Sequence, residues 1–317
     1  MLCQHCYLPS ACLVSPSREP LGLYGKSGVP DMPFEVSAER YYVTMSRPII
    51  AGLAVIVLGA LLVTHASPQE PARRKRVLAW ADTLTAYQHD SISHGVATIE
   101  RIGRESGAFD TYIRTDSQWI TKRPVPAPAR NTRNLDYFDA IFFIGTGDNL
   151  DAQQKKDLMS FIKEDGKGFV GAHTGDDAFF DWPEFGEMIG GYFDNHPWGV
   201  FDAPVIVEDP SFPAMKVFPR TFTIHDEIYQ HKDFSRDKIH VLARLDASKL
   251  DFTKPNIHRT DRDYPVAWAK MHGKGRVFYS TFGHADESWD NPLVQKMYLA
   301  AIKWALRMEG EDIRTGR

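Results

Sequence analysis

From Arg76 onward the chain alternates short apolar runs with stretches of helical period. Val77–Trp80 reads as a buried strand, and the next periodic stretch predicts a helix over Ile92–Glu105. Phe109–Arg114 is a second strand. The PVPAP run at Pro124–Pro128 breaks the chain, and Ala140–Ile144 (AIFFI) is the clearest strand of all. Asp151–Glu164 follows as a helix with an acidic first turn, stopped by Gly166, and Gly168–Ala172 is another fully apolar strand. Strands separated by helices of this length call for right-handed βαβ crossovers and a parallel sheet covered on both faces. Beyond Trp182 the rhythm changes. Strand-like pieces at Ala203–Val207, Ile239–Leu245, Val266–Ala269 and Val277–Thr281 come with little helix until Asn291–Met308. The second half is therefore expected to add antiparallel strands to the sheet. A single domain over residues 75–310 accommodates the whole pattern.

One apolar run lies outside this alternation. Ile49–Val63 is uncharged, follows Arg47, and leads into a small-residue segment ending at Ala66. That is the layout of a secretory signal, and the run is shorter than the roughly 20 residues of a spanning helix. Met45 stands where such a signal would begin, so residues 1–44 are expected to be a non-native or disordered extension and residues 45–66 a signal peptide or membrane anchor. Either alternative predicts a periplasmic or secreted domain, cleaved free or anchored through residues 49–63.

With 43% hydrophobic and 25% charged residues among 317, the composition is that of a globular protein. The formal net charge of -4 offers no bulk electrostatic case for a nucleic-acid partner. Cys3, Cys6 and Cys12 are the only cysteines, so a disulfide framework or thiolate zinc site in the main domain is ruled out. Twelve histidines are the more informative count.

Ligands of a doubly wound sheet bind beyond the carboxyl ends of its strands. Four loops lie there: Tyr87–Ser91 with His89, Asp90 and Ser91, followed by His94; Gly145–Asp148; His173–Asp177 with Thr174 and Asp176; and Gly283–Glu287 with His284. Three of them carry histidine and are expected to converge. Gly171-Ala-His-Thr-Gly175 has the form of a nucleophile elbow, with histidine in place of serine or cysteine. His173 there suits a general base, a metal ligand or an electrostatic contact, but not a stable acyl-enzyme. No GxGxxG or Walker pattern occurs in context, so no nucleotide cofactor is expected. His196 beside Trp198, and the pair Asp226 and Glu227 beside Tyr229, add further ligands or an acid/base pair. Imidazoles with a carboxylate suit zinc or a similar divalent ion. Trp198, Tyr229 and Trp268 offer flat faces for sugar stacking, with core packing as the alternative use of each. His231, His240, His258 and His272 read as surface or structural residues.

Taken in order, His89-Asp-Ser-Ile92, Gly168-Phe-Val-Gly-Ala-His173, Gly190-Gly-Tyr-Phe193 with His196-Pro197, Asp226-Glu-Ile-Tyr229, Pro265-Val-Ala-Trp268, and Gly275-Arg-Val-Phe-Tyr-Ser280 leading to Gly283-His284 resemble the ThuA-like family, named for trehalose utilisation. The resemblance spans nearly all of residues 76–309. It implies a flavodoxin-like three-layer α/β sandwich with a mostly parallel sheet, as in class I glutamine amidotransferases. It also implies a part in carbohydrate catabolism, with a small-molecule sugar substrate and sugar oxidoreductases as pathway partners. The amidotransferase elbow carries a catalytic cysteine that His173 replaces here, which excludes thioester chemistry on glutamine. His284-Ala-Asp286 falls about where those enzymes carry a His-x-Glu pair. The expected activity is that of a lyase, hydrolase or isomerase acting on a disaccharide or its 3-keto form. In that scheme His173 is the base with Asp226 and Glu227, and His89, His196 and His284 are the metal ligands. Asp90, Ser91, Thr174, Asp176, Trp198, Tyr229 and Trp268 are assigned to the substrate. A non-catalytic carbohydrate-binding protein and a metal-dependent ester or amide hydrolase are the alternatives.

Overall fold

Alternate residues of the first strands serve two different cores. In β1 (Lys75–Trp80), Val77 and Ala79 join one apolar cluster while Leu78 and Trp80 join another. Phe142 and Phe143 of β3 (Ala140–Phe143) divide the same way, as do Val170 and Phe169 of β4 (Gly168–Ala172). A strand apolar on both faces needs cover on both faces, and helices supply it. The computed structural model describes residues 73–84, 87–124 and 132–313. The expected extension (1–44), leader (45–66) and most of the PVPAP break lie outside them. Among the described residues, no helix is long and apolar enough to cross a membrane.

On one face lie α1 (Ile92–Ser106), which buries Ile92, Val96, Ile99 and Ile102, and α5 (Pro292–Ala305), which buries Met297, Tyr298, Ala301 and Ile302. The other face is covered by α2 (Ala152–Lys163), through Leu158, Phe161 and Ile162, and by α3 (Pro183–Ile189). Helix α2 starts with a capping box: the Asp151 carboxylate accepts from the amides of Gln153 and Gln154, and the Gln154 side chain caps Asp151 in return. A short helix α4 (Asp286–Asp290) precedes α5.

The main sheet has the strand order β2-β1-β3-β4-β11-β10-β9-β6-β7. Strands β2 (Phe109–Arg114), β1, β3, β4 and β11 (Gly275–Ser280) are mutually parallel. From β11 onward, β10 (Pro265–His272), β9 (His240–Leu245), β6 (Val200–Val207) and β7 (Thr221–Glu227) pair antiparallel in turn. This is the antiparallel extension expected from the second half. Because the antiparallel steps alternate, β9 and β7 again run in the sense of β11, so the carboxyl end of β7 lies on the same edge as those of β1, β4 and β11. The pair β5 (Tyr192–Asn195) and β8 (Gln230–Lys232) forms a separate two-stranded sheet. The sequence pattern missed α3, α4, β5, β7 and β8. Each is short or, like β7 (TFTIHDE), polar along most of one face, so no apolar run announces it.

Candidate functional site

The elbow at the end of β4 builds the centre of the site. His173 has φ 42°, in the left-handed region, as the sharp strand-to-turn geometry requires. Its flanking glycines sit in tight surroundings: a Cβ at Gly171 would stand 2.9 Å from the end of the Ile189 side chain, and one at Gly175 would stand 3.2 Å from the Phe143 carbonyl oxygen. Three contacts hold the bend. His173 Nδ1 donates to Thr281 O at 2.8 Å, and the Tyr279 hydroxyl reaches both His173 O at 2.7 Å and the Asp176 carboxylate at 2.8 Å. Since a carbonyl can only accept, Nδ1 carries the hydrogen and Nε2 presents its lone pair to the site.

That lone pair faces a cluster. Glu227 Oε2, at the carboxyl end of β7, is 3.6 Å from His173 Nε2, and His284 Nδ1 is 3.2 Å from both. The His89 ring stands edge-on to His173 and His284, with centroids 5.0 Å from each. One ligand atom from each of His89, His173, Glu227 and His284 lies within 4.8 Å of all the others. Two observations test whether a divalent ion suits them. Separations of 3.2 and 3.6 Å bracket the roughly 3.3 Å edge of a tetrahedron with bonds of about 2.0 Å. Nδ1 of His89 is buried and makes no hydrogen bond among the described residues. The set fits such an ion.

Charge states agree with ligation. Burial, then His284, brings the His89 pKa down to about 4, and burial, then His89, holds His173 well below the usual imidazole value. Both are neutral near pH 7 and present lone pairs without first losing a proton. His284 differs: its hydrogen bond to Glu227 raises its pKa against the opposing effect of burial. Below the His284 pKa, an ion entering the cluster therefore displaces one proton, from His284. Affinity is independent of pH above the His284 pKa and weakens about tenfold per pH unit below it.

Asp226 builds this arrangement without facing it. Fully buried, its carboxylate accepts from the amides of Glu227 (2.9 Å), Gly283 (2.8 Å), His284 (3.2 Å) and Ala285 (3.4 Å). Burial raises its pKa to about 6 against those amides. Gly283, at φ 127°, makes the turn that aims its amide there. Ser91 Oγ donates to Gly283 O at 2.9 Å, tying the loop after β1 to the loop after β11.

The structure thus brings together His89, His173, Glu227 and His284, and places His196 at their rim. His196 is exposed, stacks on Phe193, and holds Nδ1 3.4 Å from Glu227 Oε1. It is not one of the four converging groups, whereas His173, expected as the base, is. Asp90 is exposed beside His89. Of the other residues assigned to a substrate, Thr174, Asp176 and Trp268 are buried at 1% exposure or less and present no face to a ligand, while the Tyr229 ring is buried and only its hydroxyl, 2.7 Å from His173 Nε2, is turned to the cluster. Trp268 packs on Tyr279 and gives its indole N–H to Ile189 O, the core alternative. Trp198 follows His196 but packs on Tyr264 and Phe201. The Gly145–Asp148 loop supplies no ligand; Thr146 braces Tyr87 O at 2.6 Å, and Asp148 pairs with Lys155. His94 turns to Asp290 at 3.0 Å on the surface.

Two positions escaped sequence reasoning. Thr281, whose carbonyl sets the His173 tautomer, ends an apolar strand with nothing to mark its role. His231, fully buried, faces the equally buried Asp176 at 3.0 Å behind the elbow. Only its alternation in β8 could have indicated burial, and three residues are too few to read.

The family model described as trehalose utilisation (ThuA) matches residues 76–305. A ThuA-like protein from Bacteroides uniformis superposes with a TM-score of 0.59 at 21% identity, covering 75% of this chain and 95% of its own. One from Parabacteroides merdae gives 0.58 at 16% identity, covering 75% and 91%. A glutamine amidotransferase from Thermotoga maritima matches at a TM-score of 0.41 and 12% identity, covering 74% and 99%. No curated protein matches the chain. With a family match over residues 76–305 and a mixed α/β fold shared with these two ThuA-like proteins, the chain belongs to the ThuA family.

Proposed function

We propose that this ThuA-family protein processes a 3-keto-glycoside, or the disaccharide from which it derives, at a divalent-metal site made by His89, His173, His284 and Glu227. The observation that carries this reading is the convergence of three imidazoles and one carboxylate at the edge of the sheet where ligands bind, with two of the imidazoles held neutral. When bound, a divalent ion supplies Lewis-acid polarisation of a carbonyl oxygen. A ketone in the sugar ring acidifies the adjacent C–H, so a base of ordinary strength suffices to remove that proton. His173 is poorly suited to act as that base, because it is buried, its Nδ1 is committed to Thr281, and its basicity is depressed. His196 fits better, being exposed at the rim with Glu227 beside it. In an elimination, His196 takes the proton from the carbon next to the carbonyl, the C–O bond to the aglycone breaks, and the departing oxygen takes up a proton. Isomerisation would use the same proton removal with return to a different atom.

Such a protein acts in carbohydrate catabolism after a sugar oxidoreductase, because the keto group must be made first. A periplasmic or secreted location, free or anchored through residues 49–63, is part of the same proposal. The test is a panel of glycosides and their 3-keto forms, assayed by release of a chromogenic aglycone. Turnover of the keto forms alone, abolished by a chelator and restored by zinc or manganese, is the expected result. Binding of sugars without turnover would point to a carbohydrate-binding protein instead. Turnover of simple esters or amides but of no keto-sugar would point to a hydrolase.

A further inference from the structure

The hydrogen on the Tyr229 hydroxyl occupies the lone pair that a metal ion needs. Tyr229 OH lies 2.7 Å from His173 Nε2, and the phenol ring lies over the imidazole with centroids 4.3 Å apart. Because Nδ1 of His173 donates to Thr281 O, its Nε2 can only accept, so the phenol is the donor in this contact. Tyr229 is 1% exposed and His173 is fully buried, so no water competes for the bond. Phe193 packs edge-on against the phenol, with centroids 4.5 Å apart. Among the described residues, His173 is the one hydrogen-bond partner of the Tyr229 hydroxyl.

We propose that Tyr229 is a built-in competitor for the metal, capping His173 in the ion-free protein and turning its hydroxyl to an oxygen of the bound sugar once an ion takes the His173 lone pair. This rests on the metal-site reading above and adds a role for a residue that is not itself a ligand. The phenol keeps its proton throughout and only its acceptor changes. Ion binding must break one buried hydrogen bond, and the hydroxyl so released has no second acceptor among the described residues. A sugar carbonyl or hydroxyl supplies one. Ion and substrate would therefore bind cooperatively, each completing what the other leaves unsatisfied.

The test is zinc affinity of the full-length protein, measured by competition with a chromophoric chelator, in wild type, Tyr229→Phe and Tyr229→Met. Both variants remove the hydroxyl while keeping an apolar side chain of similar bulk, so one well-folded variant is enough. The expected result is zinc binding about 2- to 10-fold tighter than wild type, the size of one lost competing hydrogen bond. Nonspecific damage to the site would weaken binding, so the direction is diagnostic. Weaker binding in both folded variants, or unchanged binding, would show that the phenol does not compete with the ion; either overturns the proposal. Wild type that binds zinc while the variants bind no tighter refutes this inference alone. Absence of zinc binding in all three proteins refutes the metal reading and this inference together.

Discussion

Alanine at His173 is expected to weaken zinc binding by about two to three orders of magnitude and to remove keto-sugar turnover. Structural zinc sites bind with roughly 10–16 kcal/mol shared over four ligands, so one ligand carries about 2.5–4 kcal/mol. His173 is the least replaceable of the four. Its ring is fully buried, its tautomer is set by Thr281, and its backbone is held at the strained elbow by Tyr279. Competition titration with circular dichroism on the same samples measures the effect and controls for folding. His94→Ala is the matched control, since that ring pairs with Asp290 away from the cluster and its loss should leave affinity unchanged. Equal affinity in wild type and His173→Ala would remove His173 from the ligand set.

Alanine at Asp176 is expected to lower stability by about 3–5 kcal/mol, the range for stripping one partner from a buried pair. Asp176 and His231 are both fully buried and 3.0 Å apart, and Tyr279 OH also reaches the Asp176 carboxylate. Burial raises the Asp176 pKa and His231 acts the other way. Removing the carboxylate leaves an imidazole and a hydroxyl without that partner in a region lined by Trp268 and Tyr279. For a domain of this size the loss corresponds to a fall in Tm of about 10 °C. His231→Phe combined with Asp176→Ala should recover part of it, because the second change removes the stranded imidazole. Thermal unfolding of the two variants decides the matter, and a single variant as stable as wild type would show that the pair is not what holds the elbow.

Much of the architecture was legible because it rests on local pattern. The runs VLAW, AIFFI and GFVGA are apolar at consecutive positions, a pattern suited to strands covered on both faces. The elbow was legible too, because its two glycines flank a turn where a Cβ would crowd its neighbours. The expected convergence of His89, His173 and His284 follows from the loop rule for parallel sheets and matches the geometry found. What escaped was the long-range path that brings Glu227, itself expected at the site, to the cluster. Glu227 reaches the cluster because successive antiparallel reversals bring β7 back to the sense of β11, and four amides around Asp226 fix its end. Neither β7 nor the β5–β8 pair has an apolar run to announce it. His196, ranked with the ligands by its neighbours in sequence, is kept at the rim by an exposed loop. Tyr229 and Trp268, ranked with the substrate contacts by their aromatic faces, are drawn inward by Phe193 and Tyr279. Aromaticity alone does not distinguish a face turned to solvent from one turned to a core.

Both the proposed chemistry and the role of Tyr229 require that His89, His173, His284 and Glu227 hold one divalent ion. Calorimetric titration of the full-length protein with zinc, in buffers of different ionisation enthalpy, tests this most directly. The predicted result a full pH unit below the His284 pKa is one ion per chain with close to one proton released, both lost when His89 and His284 are replaced together by alanine. Failure to bind zinc or any other divalent ion, or binding that the double replacement leaves intact, would contradict it.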